Sequence, residues 1–148
     1  MNLYSLLLLV FLSSCTSLYE MNLTVRPHLE EFEKYFKKKV TVPVEFRSLR
    51  GSTVGVCFWV WKDSPLWVRK IFLDPEYWLR ATEWERESVL FHEIAHCQFN
   101  LEHDNSMKEG IFFSRPKSIM HKNLFWSYVS ERDYYLEELQ AKINGGQL

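Results

Sequence analysis

Apolar residues recur at helical spacing near the start of the chain and alternate along three later segments. Residues 24–39 place Leu29, Phe32 and Phe36 on one face and end in a lysine run, which predicts an amphipathic helix. Three segments rich in Val, Ile and aromatic residues are bounded by turn sequences and predict strands. They are residues 40–46, 54–61 and 67–73. Pro43 indicates that the first strand lies at a sheet edge, because proline cannot donate a ladder hydrogen bond.

A longer helix is predicted between Thr82 and Asn100. Thr82 and Glu85 form a capping-box sequence, and no Pro or Gly follows before Asn100, a residue that tolerates the left-handed conformation of a helix stop. The apolar residues of this segment form two stripes, so we expect a helix buried on both sides. A short helix over residues 75–80 precedes it, and a last helix is predicted over residues 127–143. The expected buried positions of the last helix are Tyr128, Tyr135, Leu136 and Leu139.

The order of these elements predicts an α+β fold in one domain, residues 16–148, and leaves the order of the strands in the sheet open. Charges nearly cancel, with a net charge of −1, and 16% of the residues are aromatic. Nucleic-acid-binding domains need a basic excess that this chain lacks, so no nucleic-acid partner is expected.

Residues 1–15 predict a targeting segment that does not belong to the fold. The apolar run 6–12 is too short to span a bilayer and is followed by Ser13, Ser14 and Cys15. This ending resembles the lipobox of bacterial lipoprotein signals, although no Lys or Arg precedes the apolar run. The resemblance implies a lipid on Cys15 and an exported protein anchored at the periplasmic or extracellular face of a membrane. An ordinary cleaved signal peptide or a short membrane anchor is the alternative.

The chemistry of the chain is concentrated in the predicted long helix, in the sequence His92-Glu93-Ile94-Ala95-His96. Residues four apart lie on one face of a helix, so both imidazoles can direct a ring nitrogen at one ion, while Glu93 reaches a water beside it. His103 follows His96 closely, and three of the five histidines therefore fall within one short stretch. A pair of hydrogen-bonded core histidines is the alternative.

This stretch resembles the metzincin zinc metallopeptidases, whose motif H-E-x-x-H-x-x-G-x-x-H is followed by a Met-turn. His92, Glu93 and His96 match the first part of the motif, and the sequence Ser-Ile-Met ending at Met120 resembles the Met-turn. The resemblance covers about a quarter of the chain, from Thr82 to Met120.

The sequence departs from the metzincin motif at two positions. Phe99 occupies the glycine position, and Asn100 beside it can take over the helix stop. Glu102 occupies the strict position of the third histidine, and His103 arrives one residue later. We expect His103 to be the third ligand, with Glu102 as the alternative.

The resemblance implies a small zincin-like domain with a short twisted sheet, an active-site helix and a C-terminal helix. It implies Zn²⁺ as the cofactor, Glu93 as the general base and Met120 as an apolar floor under the metal. The implied partner is a peptide or protein substrate lying extended along an edge strand, for which we expect residues 67–73. Tyr128 and Tyr134 carry phenols that could assist an oxyanion. A non-proteolytic zinc-binding lipoprotein module and a cell-envelope hydrolase of another bond type remain as alternatives.

The remaining cysteines and histidines give weaker signals. Cys57 and Cys97 either form one disulfide in an oxidising compartment or stay separate, with Cys97 as a small buried residue, and we favour the second. His28 is expected to be exposed and not to bind a metal. His121, directly after Met120, is not expected to be a ligand because three histidines already complete the set.

Overall fold

The computed structural model describes residues 21–60, 68–110, 114–123 and 127–145. The predicted leader and its Cys15 lie outside the described residues. Within these ranges no helix combines the length and the apolar character that a membrane span requires.

The described residues form five helices, a three-stranded mixed sheet and a two-stranded ribbon, which confirms the α+β class. In chain order the elements are α1 (residues 21–36), β1 (Val44–Phe46), β2 (Gly55–Val60), β3 (Val68–Leu73), α2 (Pro75–Arg80), α3 (Glu83–Phe99), β4 (Met107–Lys108), β5 (Arg115–Pro116), α4 (Ser127–Ser130) and α5 (Arg132–Ile143). The first helix ends before its lysine run because Lys37 adopts a φ of 55°. The predicted last helix is interrupted at Glu131, which separates α4 from α5.

Helix α3 begins and ends as its sequence predicts. The Thr82 side chain accepts a hydrogen bond from the backbone N–H of Glu85, and the Glu85 carboxylate accepts one from the N–H of Thr82 at 2.7 Å. Asn100 ends the helix in the left-handed conformation, with a φ of 57°. Most of the helix is buried, including Leu90 and Ile94, so the prediction of a buried central helix is confirmed.

The strands lie in the order β1–β3–β2, with β1 parallel and β2 antiparallel to β3. The edge position of β1 is therefore confirmed. The choice of residues 67–73 as the substrate-binding edge strand is wrong, because β3 is the central strand and both of its edges are hydrogen-bonded. Sequence neighbours β2 and β3 form a hairpin, but β1 joins the far side of β3 by a crossover that hydrophobic patterning does not encode.

Helices α1 and α5 pack on α3 and complete the core. Phe32 of α1 meets Phe91 of α3 edge-on, with ring centroids 5.0 Å apart. The four expected positions of the last helix are all buried, namely Tyr128, Tyr135, Leu136 and Leu139. The prediction of an exposed His28 is wrong, because the residue is only 7% exposed. It lies within α1 and not at the helix start, and its ring packs edge-on against Trp78. Its Nε2 lies 3.1 Å from the Glu83 carboxylate.

Candidate metal centre

Three imidazoles converge at the C-terminal half of α3. His92 and His96 lie one turn apart on the helix, and the segment after the helix stop returns His103 to the same place. One ring nitrogen from each histidine can be chosen so that all three lie within 4.8 Å of one another. This convergent group contains His103 and not Glu102, although Glu102 also lines the surrounding cleft. The spacing is small enough for the three rings to share one ion, while their role as ligands stays a prediction.

Backbone carbonyl groups orient the two helical histidines. Nδ1 of His92 lies 2.9 Å from the carbonyl oxygen of Ile119, and Nδ1 of His96 lies 2.5 Å from that of Leu101. Because a carbonyl oxygen only accepts, each Nδ1 carries the hydrogen of its ring. Each Nε2 of the neutral rings is then an unprotonated acceptor. This arrangement is the one that metal-binding histidines require from their surroundings.

The two Nε2 atoms of His92 and His96 face each other at 2.9 Å. A hydrogen bond between them would need one ring to move its hydrogen to Nε2, which would leave the Nδ1 lone pair pressed against a carbonyl oxygen. Two lone pairs at this distance repel each other unless both are directed at one shared cation. The donor set therefore fits a divalent ion such as Zn²⁺, for which neutral imidazoles are preferred ligands. The alternative of a self-sufficient pair of core histidines fits this geometry less well.

Burial keeps the two helical imidazoles neutral. Desolvation lowers the pKa of His92 to about 4, and it also lowers the pKa of His96, each against a partly opposing hydrogen bond to a backbone carbonyl. Metal binding requires the unprotonated ring, so this environment avoids competition from protons near neutral pH.

The helix stop that returns His103 is held by side chains as well as by Asn100. The N–H groups of Asn100 and Leu101 both bond to the Ala95 carbonyl, the latter at 3.1 Å. Arg69 of β3 hydrogen-bonds the Cys97 carbonyl, and its second amino group donates to Asn100 Oδ1 at 2.8 Å. A guanidinium at the C-terminus of a helix also complements the helix dipole. The helix stop expected at Asn100 therefore forms, and Arg69 supports it.

Glu93 lies in a notch of β2 beside the histidines. Its side chain is buried, with the residue 7% exposed, and the backbone N–H of Cys57 hydrogen-bonds its carboxylate. A Cβ at Gly55 would come within 2.9 Å of Glu93 Cγ and of Val89 Cγ1, so only glycine leaves room for this packing. Burial raises the pKa of Glu93 to about 8. The sequence analysis did not identify Gly55, although a glycine inside a strand pattern signals the close approach of another group.

The interpretation of Cys57 and Cys97 as separate residues is wrong, because they form a disulfide with their Cα atoms 5.2 Å apart. Cys57 lies on the face of β2 that packs on α3, directly opposite Cys97. The separate interpretation treated burial beside a ligand as an argument against pairing, but the buried Cys97 lies in the same strand–helix contact as the partly buried Cys57. The disulfide ties the strand that holds Glu93 to the residue that follows His96.

The residues of the predicted Met-turn bond to α3 and to the segment that follows it. Met120 is fully buried, and its carbonyl accepts the N–H of Asp104 at 3.0 Å, next to His103. The preceding residue, Ile119, supplies the carbonyl that orients His92. The phenols of Tyr128 and Tyr134 are used elsewhere, because the first donates to Glu87 and the second to the Lys117 carbonyl. Neither tyrosine lines the cleft.

The site opens into a cleft of about 780 Å³. The edge of β2 forms one wall, and α3, the segment after it and the residues after Met120 form the others. Besides the site residues, the lining includes Ser52, Trp59, Arg69, His121, Lys122 and Asn123. Comparison of the chain with family models, with curated proteins and with solved structures found no match.

Proposed function

We propose that this protein is a zinc-dependent metallopeptidase with a small zincin-type α+β domain. The observation that carries the proposal is the convergence of three imidazoles, two of them with their Nε2 lone pairs directed at one another, beside the buried carboxylate of Glu93. His92, His96 and His103 would hold the metal. Three protein ligands leave one position open, which is the feature that separates catalytic zinc sites from closed structural ones.

Glu93 gives the site a function beyond holding an ion. A zinc ion in a three-histidine site supplies a Lewis acid that lowers the pKa of water to about 7 and polarises a carbonyl group. A cation nearby favours the ionised form of Glu93, against the burial that favours its neutral form. The ionised carboxylate accepts a proton from the attacking water and passes it to the leaving nitrogen of the peptide bond. A purely structural zinc site would have no use for this buried carboxylate.

The substrate wall of the cleft is the edge of β2. Ile71 donates its N–H to Pro43 on the β1 side, so its partner Cys57 turns its own backbone groups away from β3. The N–H of Cys57 is already bonded to the Glu93 carboxylate. Within the described residues, β2 pairs with β3 on one side, and no strand pairs with its other side. A peptide segment lying extended along this edge would pass Trp59 and bring a carbonyl group over the histidines.

The disulfide supports the further proposal that the protein is exported. Structural disulfides persist in oxidising compartments such as the periplasm and the cell exterior. This agrees with a membrane-anchored lipoprotein bearing a lipid on Cys15. Mass spectrometry of the membrane fraction for a diacylglycerol adduct on Cys15 tests the proposal, and a soluble product cleaved at another position would contradict it.

The experiment for the activity combines metal content with turnover. We expect the purified domain to contain about one zinc per chain and to cleave casein, with activity lost on chelation and restored by zinc. Glu93→Gln should retain zinc while the rate falls roughly 10²–10⁴-fold. Cleavage of peptidoglycan but not of casein would indicate the envelope-hydrolase alternative. Zinc binding without hydrolysis of either would indicate the non-proteolytic module.

The third ligand is tested separately. His103→Ala should lose both zinc and activity, whereas Glu102→Ala should keep the zinc. The reverse result would assign the third ligand to Glu102. Folding of both variants is checked by circular dichroism, because both residues lie in the segment 101–106 (the ligand loop), which bonds to the core through the Asp104 N–H.

A further inference from the structure

We propose that Lys142 is a positioning residue for the metal centre, a role that rests on the proposed zinc binding. It lies in the last turn of α5, away from the cleft, and its ammonium group reaches the two chain segments that complete the site. Nζ donates to Asp104 Oδ2 at 2.7 Å and to Ser118 Oγ at 3.2 Å.

The first segment carries the third ligand. Asp104 follows His103 directly, and its Oδ1 accepts hydrogen bonds from the N–H and the hydroxyl of Ser106. One carboxylate oxygen therefore folds the ligand loop, and the other ties the loop to Lys142. Since His103 is exposed and lies outside any helix or strand, these bonds fix a residue that packing does not hold.

The second segment orients the first ligand. The fully buried Ser118 accepts the N–H of Met120 at 3.0 Å through its hydroxyl, which shapes the turn between them. The residue within that turn, Ile119, supplies the carbonyl that holds Nδ1 of His92. A shift of Ser118 would therefore change the direction of the His92 ring.

The two segments also touch each other, through the bond from the Asp104 N–H to the Met120 carbonyl. Lys142 bonds to both segments and connects them to α5. Its own helix is fixed against α3 by the buried Leu136 and Leu139. The ammonium thus links the rigid core with both segments that bear on the ligands.

The charge on Lys142 is matched by a second carboxylate. Glu138, one turn earlier on α5, is 4% exposed, and its Oε1 lies 2.8 Å from Nζ. Replacing Lys142 by an apolar residue would leave this buried carboxylate and Asp104 facing each other without a cation. We therefore expect the ligand loop to move away from α5 in such a variant.

The test measures affinity for the metal itself. Lys142→Met should weaken zinc binding by about tenfold or more in chelator competition, which is the usual effect of removing an outer support of a metal ligand. Its cobalt(II) spectrum should also change, because altered ligand directions change the visible absorption of that ion. Lys142→Arg keeps the charge and should recover most of the affinity. The matched control is Lys39→Met, which breaks a 2.6 Å ion pair with Glu33 away from the site and should leave zinc affinity unchanged.

A double-mutant cycle with Asp104→Asn shows whether Lys142 acts through the ligand loop. We expect Lys142→Met and Asp104→Asn together to lose no more affinity than the weaker-binding single variant. If Lys142→Met does not fold, Asp104→Asn alone must show the loss of affinity and the spectral change. Wild-type protein that binds zinc, with variants that bind it equally well, would overturn this inference alone. Wild-type protein that binds no zinc would overturn the proposed function and this inference with it.

Discussion

Helix α3 carries two polar clusters, one buried and one partly buried, that are satisfied in opposite ways. In its first half, the Glu87 carboxylate accepts hydrogen bonds from the Tyr128 hydroxyl at 2.6 Å and from Arg132 at 2.6 and 2.9 Å. In its second half, His92 and His96 each find a partner for Nδ1, while their Nε2 atoms face each other. Within the described residues, the chain supplies every partner that Glu87 needs, whereas the two Nε2 atoms have no donor between them.

The difference separates a structural polar cluster from a functional one. Buried polar groups cost free energy unless they are paired, so a folded chain normally provides the pairing itself. A partly buried pair of acceptors that the chain orients toward each other, without a donor between them, has a free-energy cost that a bound cation can offset. The comparison predicts that the two clusters respond differently to metal, to mutation and to pH.

The largest expected effect is that of zinc on stability. At a free zinc concentration about a thousand times the dissociation constant, binding adds about 4 kcal/mol to the free energy of unfolding. Urea denaturation in zinc-buffered and in chelator solutions measures this difference. We expect it in the wild type and in Arg132→Met, and we expect none in His96→Ala.

Urea denaturation in chelator also tests whether the two histidines stabilise the fold without metal. In chelator, His96→Leu should be at least as stable as the wild type, because it removes the repulsion between two Nε2 lone pairs. If His96→Leu were clearly less stable in chelator, the two histidines would be supporting the core themselves. The comparison with Glu87 would then fail.

The next effect concerns the structural cluster. Arg132→Met leaves the Glu87 carboxylate buried without its cation, so we expect the free energy of unfolding to fall by roughly 3 kcal/mol. This value is near the lower end for a broken buried ion pair, because the Arg132 side chain is partly exposed. Zinc affinity should not change. The control is Arg26→Met, which breaks an exposed ion pair with Glu30 and should cost less than about 0.5 kcal/mol.

The sequence predicted the parts of this molecule that depend on local rules. The capping box at Thr82 and the stop at Asn100 follow from side chains that bond their own neighbouring backbone, so they are readable from the sequence. The helical spacing of His92 and His96 fixes their common face in the same way. The last helix was predicted as one piece, because its break at Glu131 is not marked by Pro or Gly.

The parts that the sequence did not predict depend on contacts between distant segments. The crossover of β1 to the far side of β3 decides which strand borders the cleft, and no residue of β3 signals it. The Cys57–Cys97 disulfide follows from that same packing of β2 on α3. The bond of Lys142 to Asp104 joins residues 38 positions apart, and an isolated lysine at the end of a helix gives no hint of its partner.

A smaller effect on stability is expected at Gly55, where close packing of β2 against α3 positions the Glu93 carboxylate. Gly55→Ala adds a methyl group that overlaps Glu93 and Val89, which should cost roughly 1–3 kcal/mol of stability, as overpacking does. Because the Glu93 side chain must shift, kcat should fall while zinc content stays unchanged. Gly51→Ala is the control: its methyl group meets no atom within 4 Å, so it should cost only the strain of its positive φ and leave kcat unchanged. An unchanged kcat in Gly55→Ala would mean that this notch does not set the position of Glu93.

The smallest effect is expected at Asp74, a carboxylate that, like Glu87, finds its hydrogen-bond donors within the chain. Asp74 caps α2 by accepting the N–H groups of Leu49 at 2.9 Å and Tyr77 at 3.0 Å, and these bonds lower its pKa. A depressed folded-state pKa stabilises the fold above the unfolded value of about 4, and this contribution is lost as the pH falls through the folded value. Asp74→Ala should therefore cost about 1 kcal/mol near neutral pH, and its difference from the wild type should shrink in acid. Asp74→Asn can keep the helix-cap bond from Tyr77 but not the bond from Leu49, because an amide nitrogen cannot accept. It should remove this pH dependence, which denaturation at several pH values in chelator would measure.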